Sequence, residues 1–329
     1  MKYLLTVVIP TYNRANDLKE CLSYVIPQVM AHKDKVHIYI SDNASTDNTK
    51  EVVKGIMADY PDIITYFCQK VNLTASPNFD DAVHRVNSEY VYMLSDDDFI
   101  VPECITFLLN CIKEYPDVAY FYLNQYVADE EMQGAKLFNA NIGKGYVTVY
   151  ESGAELIKKY YNGPSCISAN MFRKEVWADA SVLKKEDCPG YVWLSILFQG
   201  VLYKKSAFIQ YPMFTARMPK VQRYATNWPW YYIKGLGQLY KYLDEKSPGL
   251  YNAWIDYQQK KQKRQFLMVL TMVAHNKKLY RARGRELKEH IHSAGDRFFY
   301  NLLVSVIPNW FAEKILKNMI RAAKIFQYI

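Results

Sequence analysis

Glycine and proline are sparse in this chain, 13 of each among 329 residues, which excludes collagen-like and linker-dominated proteins. Neither G-x-G-x-x-G nor G-x-x-x-x-G-K-S/T occurs, so no glycine-rich loop offers its backbone amides to a phosphate. The six cysteines form no C-x-x-C pair and no Cys/His cluster with zinc spacing. They read as reduced core thiols, and the expected compartment is the cytoplasm. The run from Tyr3 to Ile9 follows a single lysine and is too short for a signal peptide. No uninterrupted apolar stretch has the length of a bilayer-spanning helix. Aromatic side chains, by contrast, are plentiful: 29 Tyr, 15 Phe and 6 Trp, whose apolar bodies and polar tips suit sugar-stacking walls and membrane interfaces.

Charge is divided along the chain. Residues 1–100 contain nine Lys/Arg against 14 Asp/Glu, whereas residues 257–329 contain 15 against four, within an overall formal charge of +8. An acidic amino-terminal part does not suit a nucleic-acid backbone, and no nucleic-acid partner is expected. The basic, aromatic carboxyl-terminal end suits an anionic surface. With half its residues hydrophobic, the chain is long enough for one large domain and an appendage. The change in charge and pattern divides it into 1–225 and a helical, basic 226–329.

Leu4 to Ile9 is a short β-branched run ended by Pro10, and Leu18, Leu22, Val25, Ile26 and Val29 give Ala15 to Met30 a helical period. Val36 to Ile40 reads as a second strand, Thr49 to Tyr60 as a helix capped by the polar run before it, and Ile63 to Cys68 as a third strand. A helix from Asn78 to Val86, entered by Pro77, leads to a fourth strand, Tyr90 to Leu94. Strands alternating with helices predict an α/β domain with a mostly parallel sheet, whose ligands sit beyond the strands' carboxyl ends. Those ends carry Thr11, Asp42 and Asp96 to Asp98. A helix from Pro102 to Glu114 and a strand near Val118 to Leu123 follow, and from Trp230 onward the pattern is almost wholly helical.

Three adjacent carboxylates at the end of an apolar strand repel one another unless a cation offsets them. Hard divalent ions take such oxygen ligands together with substrate phosphates. Ser95-Asp96-Asp97-Asp98 therefore predicts a metal site, the alternative being a solvated acidic turn that caps the helix at Pro102. Asp42 can accept the imide N–H of a uracil or a ribose hydroxyl. The run from Asp42 to Asp47 can equally be a helix cap.

In order and spacing, Val8-Ile9-Pro10-Thr11-Tyr12-Asn13-Arg14, Ser41-Asp42-Asn43-Ala44-Ser45-Thr46-Asp47 and Leu94-Ser95-Asp96-Asp97-Asp98 resemble family 2 glycosyltransferases of the GT-A fold, over roughly residues 4–210. The resemblance implies a Rossmann-like nucleotide-sugar domain in 1–225. It assigns Pro10, Thr11, Tyr12, Asn13, Arg14, Asp42, Asn72, Asp96 and Asp97 to the nucleotide, and Asp96 with Asp98 to a divalent metal, Mn2+ or Mg2+. Many members have Asp where Ser95 stands, which leaves open which two of Asp96, Asp97 and Asp98 touch metal and sugar. A general base is implied on an acidic pair ahead of a helix: Asp187, then Glu186, with Gly200 beyond them. The alternative is that two acids simply favour a helix N-terminus. Ser168 to Lys174, with Asn170, resembles the family's acceptor-facing strand, and Arg217, Arg223, Trp228 and Trp230 fall on the acceptor side, a packed aromatic cluster being the other reading.

The function implied is metal-dependent, inverting transfer of a sugar from a nucleotide-diphosphate donor, UDP favoured, to a hydroxyl of a lipid-linked or polysaccharide acceptor in bacterial surface-glycan synthesis. The tail from Tyr300 to Ile329 places Leu303, Ile307, Phe311, Ile315, Met319 and Ile320 at helical spacing, interleaved with Lys314, Lys317, Arg321 and Lys324. Such a helix docks on the inner face of an anionic membrane or packs on the catalytic domain. With the Ser-Asp-Asp-Asp form, it resembles the abequosyltransferase-type branch. Two other classes compete: a metal-dependent nucleotidyltransferase, and a non-catalytic protein that binds anionic surfaces through its tail.

Overall fold

The computed structural model describes residues 2–139, 145–161, 163–178, 190–218 and 231–260, with Cys188 and a few isolated residues beyond 296. Two compact units are present, one drawn from 1–182 and 192–220 and the other from 183–191 and 221–329.

The first unit begins with β1 (Tyr3–Thr11), α1 (Ala15–Met30), β2 (Val36–Asp42), α2 (Thr49–Asp59), β3 (Ile64–Cys68), α3 (Ala75–Arg85) and β4 (Ser88–Met93). Leu5, Val7, Val8 and Ile9 of β1 are fully buried. A strand apolar on both faces is what a parallel sheet clad by helices requires. β1 pairs in parallel with β2 on one side and β4 on the other, and β3 extends the sheet beyond β2. Helix α3 starts earlier than its apolar period indicated, so Pro77 is its third residue. There the missing N–H has no carbonyl to serve.

The chain continues through β5 (Phe99–Ile100), α4 (Cys104–Glu114), β6 (Tyr120–Ala128), β7 (Lys136–Leu137), β8 (Val147–Tyr150), α5 (Gly153–Tyr160), β9 (Asn170–Arg173), α6 (Lys174–Ala178), α7 (Val192–Val201) and β10 (Ser206–Arg217). The strand order is β3-β2-β1-β4-β9-β6-β10-β5, with β7 on β6 and β8 on β10. β9 lies between β4 and β6, antiparallel to both, while β10 runs parallel to β6. The sheet is thus parallel where strand and helix alternate in sequence, and mixed beyond. Gly200 lets α7 pass against α6, because a Cβ there would lie 1.8 Å from the carbonyl oxygen of Val176.

The second unit has a π-turn at Tyr231–Gly235, α8 (Leu236–Lys246) and α9 (Leu250–Lys260). Leu236, Leu239, Tyr240, Leu243 and Trp254 form its core, with the Tyr240 and Trp254 rings stacked 6.1 Å apart. Among the described residues, no helix is long and apolar enough to cross a membrane. Most of the expected helix from Tyr300 to Ile329 lies outside the described residues; Trp310 and Phe311 are exposed.

Candidate active site

The carboxyl ends of β2, β1 and β4 lie side by side, with Thr11 in register with Asp42 and the Leu94 amide donating to the Val8 carbonyl at 2.9 Å. The chain leaving β4 therefore delivers its acidic run beside the end of β1. Thr11 Oγ1 donates to Asp96 Oδ2 at 2.7 Å, and Ser95 Oγ donates to Asp97 Oδ1 at 2.5 Å. The remaining oxygens of this pair meet one atom: Arg14 Nη1, at 2.7 Å from Asp96 Oδ1 and 2.8 Å from Asp97 Oδ2. Asp98 turns inward instead. Its Oδ2 accepts from Ser168 Oγ at 2.6 Å and its Oδ1 from the Arg217 amide at 3.1 Å. Ser168 Oγ in turn accepts from the Ser95 amide at 2.8 Å.

The electrostatics follow from burial. Asp96 is pushed up to about 6 by burial and by Asp97, with Arg14 pulling the other way. Asp98 is pushed up to about 8 by burial and Asp97. The Arg14 guanidinium is bonded to two of the three carboxylates, Asp96 and Asp97, while that of Arg217 pairs with Asp17 (3.3 Å) and Glu20 (2.8 Å). An oxygen-only donor set with surplus negative charge fits a hard divalent cation. Asp97, with 21% of its side chain exposed against 4% for Asp96, is the solvent-facing member of the pair. Among the described residues, no three His, Cys, Asp or Glu side chains are gathered as a metal cage. A cation there would need ligands beyond the protein, as phosphates supply.

Around this centre, two loops are stitched together. Asn13, at a left-handed φ of 53°, donates its amide to Ser45 Oγ at 2.9 Å and accepts from the Thr46 amide at 2.7 Å. Asp47 accepts from the Thr49 amide at 3.1 Å and from the Ala15 amide at 3.2 Å, serving the first turns of both α1 and α2. Burial works against the Asp47 carboxylate, but a hydrogen bond from the Thr49 hydroxyl, together with these amides, outweighs it and holds its pKa below the usual value. Fully buried Asp42 accepts from the Ser45 amide at 2.8 Å and from the Tyr66 hydroxyl at 2.6 Å. Burial and this carboxylate raise the pKa of Tyr66. Asn72 is exposed, and its Oδ1 accepts from Asn43 Nδ2 at 3.1 Å. Tyr12 is exposed at the rim.

The strand ends thus bring together Thr11, Arg14, Asp96 and Asp97, with Asp42, Asn13 and Asn72 on the flanking loops. Pro10 is buried within β1 and is part of the frame. Two expected acceptor residues are bonded within the protein. Asn170 is fully buried; it accepts from the Tyr120 hydroxyl at 2.8 Å, and its amide donates to the carbonyls of Pro164, Cys166 and Ile167. Arg217 tethers the end of β10 to α1 through its two ion pairs. Asp187, Glu186, Arg223, Trp228 and Trp230 lie outside the described residues. The pairings of Ser168 with Asp98 and of Tyr66 with Asp42 were not read from the sequence, because they span 70 and 24 residues.

Residues 6–178 match the family described as Glycosyl transferase family 2. The chain belongs to that family. Abequosyltransferase RfbV of Salmonella typhimurium is 31% identical over 134 residues, which are 41% of this chain and 38% of that one. The Campylobacter jejuni GalNAc(5)-diNAcBac-PP-undecaprenol beta-1,3-glucosyltransferase is 25% identical over 338 residues, 97% of this chain and 99% of the relative. The match covers only 20% of Streptococcus pneumoniae GlyA, so several curated relatives are spanned only in part. Among solved structures, S. aureus TarS 1-349 in complex with UDP-GlcNAc superposes with a TM-score of 0.56 at 12% identity, over 97% of this chain and 92% of that one. Mannosyltransferase PcManGT from Pyrobaculum calidifontis, in complex with GDP-Man and Mn2+, gives 0.52 at 14% identity, over 99% and 87%. These likenesses show the GT-A type of fold.

Proposed function

We propose that this glycosyltransferase moves a sugar from a nucleotide-diphosphate donor, UDP-linked by preference, to a hydroxyl of a lipid-linked or polysaccharide acceptor, with inversion at the anomeric carbon. The observation that supports this most is the meeting of Asp96 and Asp97 at a single point at the carboxyl end of β4, with Asp42 in register beside Thr11. Asp96 and Asp97 would hold a divalent cation, Mn2+ or Mg2+, whose chemistry when bound is to offset the charge of the leaving diphosphate. Asp98, assigned with Asp96 to the metal on sequence grounds, serves better as the anchor of Ser168 and β10, because it accepts from the Ser168 hydroxyl and the Arg217 amide and does not share the point where Asp96 and Asp97 meet. Each oxygen of Asp42 keeps a second lone pair toward a uracil imide or a ribose hydroxyl. Asp187, or failing it Glu186, is the base that takes the acceptor proton. For the acceptor, support comes from the undecaprenol-linked substrate in the name of the Campylobacter relative, which matches along almost its whole length. The basic carboxyl-terminal segment would keep the enzyme at an anionic membrane where such acceptors reside.

Calorimetric titration of UDP, GDP and CDP, each with Mn2+ and with EDTA, tests the reading. UDP is expected to bind with Mn2+ and to lose at least about tenfold in affinity in EDTA or in Asp97→Asn, a difference of about 1.4 kcal/mol. UDP binding unchanged by either removes the metal role, and failure of all three nucleotides to bind removes the donor assignment.

A further inference from the structure

The place where a cation would sit between Asp96 and Asp97 already has a positive group in it. Arg14 Nη1 lies 2.7 Å from one carboxylate oxygen and 2.8 Å from the other. The two outer oxygens are fixed independently by Thr11 Oγ1 and Ser95 Oγ, so the inner pair is presented toward Nη1. A divalent ion approaches carboxylate oxygens to about 2.0–2.6 Å. It and Nη1 therefore cannot both occupy the space between the same two oxygens.

Building on the cation reading above, we propose that Arg14 is a resident counter-ion that a divalent metal must displace, and that the diphosphate of the donor takes up the displaced guanidinium. A guanidinium is suited to that exchange, because its planar fork pairs with phosphate as readily as with carboxylate. Arg14 also stands at the residue before α1, in the loop joining the end of β1 to the helix, so its side chain has only to swing away from β4 for the site to open. The consequence is coupling. Metal alone binds weakly, because it must first break the contacts of the guanidinium with both carboxylates. Metal with nucleotide binds well, and by linkage each raises the affinity of the other by the same factor. The carboxylates are meanwhile never left facing one another uncompensated.

The test measures Mn2+ binding to the full chain, by electron paramagnetic resonance of the free ion, with and without UDP. In the wild type, UDP is expected to raise Mn2+ affinity by about tenfold or more. In Arg14→Gln, Mn2+ alone should bind about tenfold tighter than to the wild type, and the enhancement by UDP should shrink. Arg14→Lys keeps a positive charge but loses the fork, and should show a smaller gain, about threefold. Circular dichroism verifies that each variant is folded. Should Arg14→Gln not fold, the lysine variant decides, and no gain in its affinity for Mn2+ alone overturns the proposal. Equal Mn2+ affinity in the wild type and Arg14→Gln, in the presence of normal UDP-dependent binding, defeats the counter-ion role alone. If no form binds Mn2+ even with UDP, the cation reading fails with it.

Discussion

Asp98 spends both carboxylate oxygens on the protein, yet burial and Asp97 raise its pKa to about 8. A carboxyl whose pKa is higher folded than unfolded, where it is about 4, contributes stability that is complete below the unfolded value and is lost as pH climbs through the folded one. Asp96, at about 6, acts in the same direction. Metal-free protein is therefore expected to melt at progressively lower temperature between pH 4 and pH 8. Asp98→Asn removes the charge and can keep a hydrogen bond to both partners, its oxygen facing the Arg217 amide and its amide facing Ser168. It should melt about 2–4 °C above the wild type at pH 8 and level with it near pH 4. Melts in EDTA across that range check this, and a variant that melts lower than the wild type at pH 8 would show that the lost acceptor matters more than the charge. The acidic run itself was legible in the sequence because it follows an apolar strand directly. Its division of labour was not. Asp98 finds Ser168 and Arg217 across 70 and 119 residues, and such long-range pairing leaves no periodic trace.

At the scale of elements, β1, β2, β3 and β4 were legible because each is a short β-branched or aromatic run closed by polar residues, and their parallel pairing follows from the helices between them. β9 was not. Four residues, Asn170–Arg173, carry too little pattern to announce that they insert antiparallel between β4 and β6. Asn170, at the start of that insertion, ties down the carbonyls of the preceding turn. The glycine beyond the expected base also acquires a physical reason. Gly200→Ala puts a methyl group against the backbone carbonyl of Val176, and backbone moves less readily than a side chain. The substitution should cost about 1–3 kcal/mol, read as a lower denaturation midpoint at unchanged slope. A midpoint equal to that of the wild type would mean that α6 and α7 separate without penalty.

For the molecule as a whole, the contrast between an acidic first hundred residues and a basic end translates into a test of location. The full chain is expected to cosediment with vesicles rich in anionic lipid at low salt, and to be released near 1 M salt, where the Debye length falls to about 3 Å. Equal recovery with neutral vesicles would locate the basic end elsewhere. The order in which the sheet is assembled has a consequence for biosynthesis. β4 ends at Met93, but the strand that covers its free edge starts at Asn170. A ribosome adding about 5–20 residues per second needs on the order of 4–15 s to supply that cover. Through that interval the nascent chain presents an unpaired, apolar strand edge with the acidic run at its tip. A chaperone that shields such edges during translation, rather than one acting on the finished chain, is the assistance this topology calls for.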